Sequence, residues 1–244
     1  MENSIENNKI LWDEKYRWEK NGDEWIGQAV KCKMPYEDWK QSLFRNLILP
    51  HIHQKKIVLE IGAGYGRWSS LLATGVDTLF LVDLSSNCIE FCKKLFVGQS
   101  HIKYLVNNGK ILSGIEDSSI DFVWSYDTFV HIDKNIIDSY LSEIYRVLHS
   151  GGCAIIHHPG RNHFFLFLGF IRHLGWLGNW FYRLISMQQL NDIDGWRSNI
   201  SGQMFKNLAK KNGLVIIEQI KYWDKKNKIG VPRFNDCISI LGKK

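Results

Sequence analysis

Ile57-Val58-Leu59-Glu60-Ile61-Gly62-Ala63-Gly64-Tyr65-Gly66-Arg67 is the stretch whose reading decides the fold. A short apolar run stops abruptly at glycines, so residues 57–61 read as a buried strand feeding a tight turn and then a helix over about 67–73. Glycines at such a turn let the backbone bend sharply and let a ligand approach the main chain. Outward from it, residues 79–82 form the next strand, ending at Asp83, and Ser85 caps a helix to about Phe96. Residues 102–106 and 120–125 read as the third and fourth strands. Residues 136–148 read as an amphipathic helix with Ile137, Tyr140, Leu141, Ile144 and Leu148 on one face. Ser150-Gly151-Gly152 ends it, and 153–157 is a fifth strand. Ser201 caps a helix to about Lys211, stopped by Gly213. The last two strands, 214–220 and 237–241, are joined without room for a helix and are therefore antiparallel. Strands alternating with helices predict an α/β, Rossmann-like sheet with helices on both faces.

The whole chain, 1–244, reads as one domain in four parts: an N-terminal extension or cap (1–50), a core (51–158), a helical insert (159–200) and a C-terminal helix with strands (201–244). With 45% hydrophobic residues and ten Trp it can bury a large core. The net charge of +6 is uneven. From residue 201 onward there are ten Lys/Arg against three Asp/Glu, which leaves the rest near neutral. The densest basic run, Trp223-Asp224-Lys225-Lys226-Asn227-Lys228, reads as a solvated loop rather than a phosphate-binding patch. Five scattered cysteines (Cys32, Cys88, Cys92, Cys153, Cys237) form no C-x-x-C pair, so neither a disulfide framework nor a zinc site is indicated. The polar start lacks an apolar signal core, and the expected setting is reducing and cytoplasmic.

A glycine cluster alone also fits a structural turn. Three companions support a ligand site here. Glu60 precedes the first glycine by two residues. Asp83, seventeen residues beyond Gly66, ends the second strand, where a carboxylate can accept both hydroxyls of a ribose. Asn107-Asn108-Gly109 ends the third strand. A nicotinamide site wants G-x-G-x-x-G, whereas this loop reads G-x-G-x-G followed by Arg67. The Glu60 carboxylate would repel a pyrophosphate and suits a cationic amino-acid cofactor.

These segments, with Asp121-Phe122-Val123-Trp124-Ser125 and Tyr145-Arg146-Val147-Leu148-His149-Ser150-Gly151-Gly152, resemble the ordered motifs of class I S-adenosylmethionine-dependent methyltransferases. The resemblance implies S-adenosyl-L-methionine as cofactor, with S-adenosyl-L-homocysteine as product. It also implies a seven-stranded sheet of order 3-2-1-4-5-7-6 with the seventh strand antiparallel. By the same resemblance Gly62, Ala63, Gly64 and Gly66 hold the methionine part, Asp83 the ribose and Asn108 the adenine, while Ser125 lies beside the methyl-donor end. Glu60, Arg67, Leu84 and Gly109 complete the expected cofactor set. The family often carries Asp where Asn108 stands, but the Asn carbonyl can still accept a hydrogen bond.

In an open α/β sheet, ligands bind beyond the carboxyl ends of the strands. That brings Tyr126, Asp127, His131, His157 and His158 towards the acceptor. A hydroxyl acceptor must be aligned and deprotonated, which suits a His titrating near neutrality. His131, six residues past the fourth strand, is the first choice as general base; local hydrogen bonding or helix capping is its alternative reading. His157 and His158 point to opposite sides of their strand, so one of them faces the pocket and the other is structural. Asp127 either orients a His or forms a turn.

Trp196 and Arg197, in Asp194-Gly195-Trp196-Arg197-Ser198-Asn199, are candidate substrate contacts. Arg197 would clamp a carboxylate or phosphate, against the ordinary alternative of a surface salt bridge. Arg161 and Arg233 are weaker candidates. No metal site is expected. The apolar part of the insert, 164–184, reads as a lid, as a dimer surface or as a patch lying on a membrane. Its longest apolar run falls short of the roughly 20 residues needed to span a bilayer. Trp12, Tyr16, Trp18 and Trp25 either close the other side of the pocket or simply pack.

The leading functional reading is O-methylation of a small-molecule hydroxyl: a sugar, a phosphorylated intermediate or a secondary metabolite. A nucleic-acid methyltransferase is the alternative. The Asn/Asp-Pro-Pro-Tyr signature of amino-methylating enzymes is replaced here by Ser125-Tyr126-Asp127-Thr128. No Cys follows any of the four Pro, and no RNA-binding module is recognisable, so no nucleic-acid partner is expected. A cofactor-binding protein without catalysis is the third class.

Overall fold

A computed structural model describes residues 4–18, 22–23, 25–52, 56–160, 175–176, 180 and 197–244. Trp196, Arg161 and nearly all of the 159–200 insert, including 164–171, lie outside the described residues, and with them the three readings of that insert.

The parallel strands β1 (Ile57–Ile61), β2 (Thr78–Asp83), β3 (Ile102–Val106), β4 (Ile120–Ser125) and β5 (Leu148–Pro159) build most of one sheet. β6 (Val215–Ile220) and β9 (Asp236–Gly242) complete it, giving the order β3-β2-β1-β4-β5-β9-β6. β9 runs antiparallel to both β5 and β6. This is the expected topology. The seventh strand of the sheet is the ninth of the chain because a hairpin intervenes, β7 (Tyr222–Asp224) with β8 (Ile229–Gly230). The basic run read as loop is therefore strand at its start. Trp223 anchors it, its ring 5.7 Å from that of Trp39 and its Nε1 donating to Ser42 Oγ at 3.0 Å.

Helices α1 (Ile5–Ile10), α2 (Gly27–Lys31) and α3 (Tyr36–Leu43) precede β1, and α4 (Ser69–Leu72) and α5 (Ser86–Leu95) follow β1 and β2. α6 (Lys134–Val147) and α7 (Gly202–Lys211) cover the other face. Ser85 and Ser201 cap α5 and α7, accepting from Cys88 N at 3.0 Å and Met204 N at 3.2 Å. α6 buries Ile137, Tyr140, Leu141 and Ile144 as its spacing predicts. Leu148, assigned to the same face, instead starts β5 with extended backbone (φ −63°, ψ 135°) and is fully buried there. α4 is shorter than predicted, because turns occupy residues 64–68.

Two apolar clusters sandwich the sheet, one under α6 and α7, the other under α2, α3 and α5. Each fully buried Leu, Ile or Phe contributes roughly 1.5–3 kcal/mol of transfer free energy. β4, central and packed on both faces, buries Phe122, Val123 and Trp124 in succession, which explains the apolar run at its centre. β1, β2, β4 and β5 end on one edge of the sheet. Antiparallel pairing sets the start of β9 there too, Asp236 opposite Pro159. Among the described residues no helix is long and apolar enough to cross a membrane.

Candidate cofactor and acceptor site

The loop after β1 is pinned to β2: Gly62 N and Ala63 N donate to Val82 O at 2.8 and 3.3 Å. Gly62 and Gly64 have φ of 80° and 53°. A Cβ on Gly62 would lie 1.9 Å from Thr128 Oγ1, and one on Gly64 2.9 Å from the Trp18 ring. Only glycine allows this close approach. Asp83 lies beside the loop, one carboxylate oxygen accepting from Gly64 N at 2.9 Å and the other from Ser85 N at 2.8 Å. Burial raises its carboxyl, and those two N–H groups work against the rise. Each oxygen keeps acceptor capacity for a further donor. Gly62, Ala63, Gly64, Arg67, Asp83, Leu84 and Gly109 all line one cavity of about 1320 Å³, counting its open mouth.

Four expected cofactor contacts are placed elsewhere. Glu60 is buried behind the loop, where it accepts from Ser69 Oγ at 2.5 Å, and burial pushes its carboxyl up to about 8. Ser125 is buried in the sheet and donates to Ile61 O at 2.8 Å, tying β4 to β1. Asn108 is exposed, and its Oδ1 is taken by the N–H groups of Lys110 and Ile111 at 3.0 Å each; Gly109 lines the cavity in its stead. Gly66 shapes the turn with φ 81°, and a Cβ there would meet Leu95.

The N-terminal segment straps across this cavity. Ile5 packs on Gly109, Asn8 Nδ2 donates to His131 O at 3.0 Å, and the Asp13 carboxylate accepts from Ser85 Oγ. Trp18 then stacks on Tyr65 with centroids 4.9 Å apart. Trp12, Trp18 and Trp25 line the cavity, while Tyr16 stacks on Trp25 from outside at 5.3 Å.

Beyond the glycine loop, charged side chains form a chain across the ends of β4, β5 and β9. Arg67 Nη2 donates to Asp127 Oδ2 at 2.6 Å. His157 Nδ1 lies 3.1 Å from Asp127 Oδ1, and its Nε2 lies 3.3 Å from Asp236 Oδ2. Asp236 in turn accepts from Arg197 Nη2 and, at 3.2 Å, from Gln28 Nε2. Burial opposes every charge here. For Asp127, however, Arg67 and His157 outweigh it and hold the carboxyl well below the usual range. Arg197 and His157 likewise lower Asp236. For His157, burial favours the neutral ring, but the Asp127 and Asp236 carboxylates beside it win and raise it, while its Nδ1 also lies 3.2 Å from the Asp127 N–H. Asp127, in left-handed backbone (φ 60°), thus partners Arg67 and His157.

The three candidate histidines separate clearly. His131 lines the cavity, with Trp12 edge-on to its ring at 5.3 Å. His157 is buried behind Tyr126, its ring stacked on that of Tyr126 at 4.2 Å. His158 points to the other side of β5, bonded to Ser239 Oγ and Pro159 O at 2.8 Å each and stacked on Phe205 at 3.7 Å. Burial lowers it to about 3, so it is a neutral core residue away from the cavity and, contrary to expectation, not a catalytic group. Tyr126 and Arg197 both line the cavity, together with Arg233 and Phe234. The spacing of motifs gave no sign of Asp236, Gln28, Phe234 or Thr128. Each enters the site through long-range packing, and only Asp236, at the head of an antiparallel strand that begins on the ligand edge, left a positional hint.

The family model described as Methyltransferase domain matches residues 59–156. Among curated proteins, the chain is 27% identical over 202 residues to the squalestatin hexaketide synthase of Cochliobolus lunatus, a match covering 75% of this chain and 7% of that protein. The squalestatin hexaketide synthase of a Phoma species matches with the same identity and coverage. The chain therefore spans only about 7% of the length of these relatives. Among solved structures, a protein from Pyrococcus horikoshii OT3 superposes with a TM-score of 0.61 at 17% identity, covering 93% of this chain and all of that one (100%). A SAM-dependent methyltransferase from Methanosarcina mazei gives 0.59 at 19%, covering 81% and 96%. The magnesium protoporphyrin IX methyltransferase of Synechocystis PCC 6803, with S-adenosylhomocysteine bound, gives 0.59 at 12%, covering 99% and 96%. At such identities these likenesses speak for the fold. The matched segment carries the glycine loop and Asp83, set in the expected strand order, so residues 59–156 carry a methyltransferase domain in the fold of the class I S-adenosylmethionine-dependent methyltransferases.

Proposed function

We propose that this methyltransferase modifies a hydroxyl group of a small-molecule acceptor, with His131 as general base. The carrying observation is that His131 is, among the described residues, the histidine in the wall of the cavity that also holds the glycine loop and Asp83. S-adenosylmethionine supplies a methyl group already activated by the positive charge on its sulfur. In this reading Asp83 accepts from the ribose hydroxyls, Gly62–Gly64 cradle the amino-acid part, and Leu84 and Gly109 wall the adenine side. Tyr126, Asp127 and Arg197 line the acceptor end. His131 takes the proton from the acceptor oxygen as the C–O bond forms and the S–C bond breaks. The Trp12 ring over His131 keeps bulk water from that imidazole. Asp127 is committed to Arg67 and His157, so it fixes the acceptor wall rather than the base.

His131→Ala should lower kcat by roughly 10²–10⁴-fold while leaving S-adenosylhomocysteine affinity within about twofold, since the cofactor residues are untouched. The check is coupled detection of S-adenosylhomocysteine release over a panel of phenols, sugars and hydroxy acids, with calorimetry for affinity. Normal turnover by the variant sinks the assignment.

A second reading draws on the relatives, both of which are named as hexaketide synthases. A ketide carbon flanked by carbonyls is acidic enough for an imidazole base, and the same His131 would then serve carbon methylation. Carbon-13 NMR of the product separates the two, by a methoxy or a C-methyl resonance.

A further inference from the structure

A groove adjoins the cavity. Trp25, Gly27 and Arg233 line both, so the two share a wall, and the groove continues over Ile26, Val30, Lys31 and Lys33. The junction depends on a missing side chain. Arg233 lies against Gly27, where a Cβ would come within 2.0 Å of Nη1. Any other residue at position 27 would force that guanidinium aside and rebuild the shared wall.

The groove divides into an apolar and a cationic part. Trp25, Ile26 and Val30 make the apolar part. Ile26 and Val30, one turn apart at α2, stay 45% and 63% exposed. Apolar side chains grouped in water beside a binding cavity mark a contact surface. Lys31 and Lys33 make the cationic part, and no carboxylate lines the groove among the described residues. Both lysines are exposed, and neither ammonium has a partner among the described residues. Lys33 also holds left-handed backbone at φ 57° just past the end of α2, where its N–H donates to Val30 O at 3.0 Å. Glycine is the usual residue at such a helix end, because it takes this conformation without steric cost. A lysine there carries strain that ending the helix does not require, and strain of this kind collects where a side chain serves a ligand.

We infer that this groove takes the tail of the acceptor: an apolar chain that lies on Trp25, Ile26 and Val30 and ends in a carboxylate or phosphate beside Lys31 and Lys33, while its hydroxyl sits in the cavity with His131. This rests on the reading of the cavity as the site of hydroxyl methylation. The shared wall favours one elongated molecule over two separate ligands. Apolar contact supplies most of the affinity. Ion pairs in water are weak in themselves, but they discriminate the sign of the charge. An anionic bilayer would present the same chemistry, and the experiment separates the two.

Octanoate, octyl phosphate and the neutral octanol are titrated calorimetrically, below their micellar concentrations, into the complex with S-adenosylhomocysteine. The anions should bind about tenfold more tightly than octanol, roughly threefold for each lysine. Lys33→Gly and Lys31→Gln should each weaken the anions by about threefold and leave octanol and S-adenosylhomocysteine binding as before. Lys33→Gly relieves the left-handed backbone and should melt no lower than the wild type, so it keeps the test decisive if Lys31→Gln fails to fold. Val30→Asp should weaken all three ligands. Equal binding of the anions and octanol overturns the inference, as does unchanged anion affinity in the folded lysine variants. If the protein sediments with phosphatidylglycerol vesicles, not with phosphatidylcholine vesicles, and binds none of the three monomeric ligands, the groove is a membrane contact and the inference also falls. None of these readouts needs turnover. His131→Ala should bind octanoate like the wild type even if its activity disproves the role given to His131.

Discussion

Glu60 is where burial outweighs hydrogen bonding most plainly. With 2% of its surface exposed, its carboxyl is pushed up to about 8 despite the bond from Ser69. A folded-state value above the unfolded one, about 4.3, means that this group's contribution to stability is complete below about pH 4.3 and is lost as pH rises through about 8. Glu60→Gln imitates the protonated form. Its unfolding free energy should therefore fall less between pH 5 and pH 8 than that of the wild type, by about a few kcal/mol, and its melting temperature with it. Parallel melting curves would refute this. His158, lowered to about 3, acts in the opposite sense, costing stability as pH falls below its unfolded value, and it cancels in the comparison. Asp83 was legible in the sequence because the end of a strand fixes both its place and its outlook. Glu60, Ser125 and Asn108 were placed correctly along the chain, but their directions were not legible. Local periodicity says nothing of whether Ser125 turns to a ligand or to Ile61 O.

Among the elements, the N-terminal strap matters most to the site. Helix α1 joins cofactor and acceptor ends through single contacts, Ile5 on Gly109 and Asn8 on the His131 carbonyl. Asn8→Ala removes a buried hydrogen bond worth about 1 kcal/mol or somewhat more. It should hasten S-adenosylhomocysteine dissociation several-fold and raise the KM for acceptor, with a small loss in melting temperature. Stopped-flow displacement measures the first effect, and an unchanged off-rate would mean the strap does not gate the cavity. The sequence marked the aromatic residues of this segment but not its path, because short helices such as α1 and the π-helical turn after it carry too few residues for a periodicity. The long elements were readable for the opposite reason. α6 shows four turns of consistent spacing, and the centre of β4, Phe122 to Trp124, is apolar because both of its faces are covered.

At the scale of the molecule, alternating β and α segments showed a sheet covered on both faces, while the strand order was legible only through the resemblance of the motifs to class I methyltransferases. The acceptor wall was not, since it gathers Arg67, Asp127, His157, Arg197 and Asp236 from five separate segments. In the finished sheet β9 lies inside, between β5 and β6, and the edges are β3 and β6. Amide exchange should accordingly be as slow at 239–241 as in β4, and faster in β3 and β6; rapid exchange in β9 would contradict the topology. The position of β9 also has a kinetic meaning. Its partners in β5 are some eighty residues earlier in the chain, Ile156 opposite Ser239, so its insertion closes a large loop and comes late in folding. The glycine loop and Asp83, by contrast, need only the pairing of β1 with β2, which are neighbours in sequence. A refolding chain would thus own its glycine loop and Asp83 before Asp236 arrives to complete the other wall, and would pass through a stage able to hold a nucleoside but not yet to choose what to methylate.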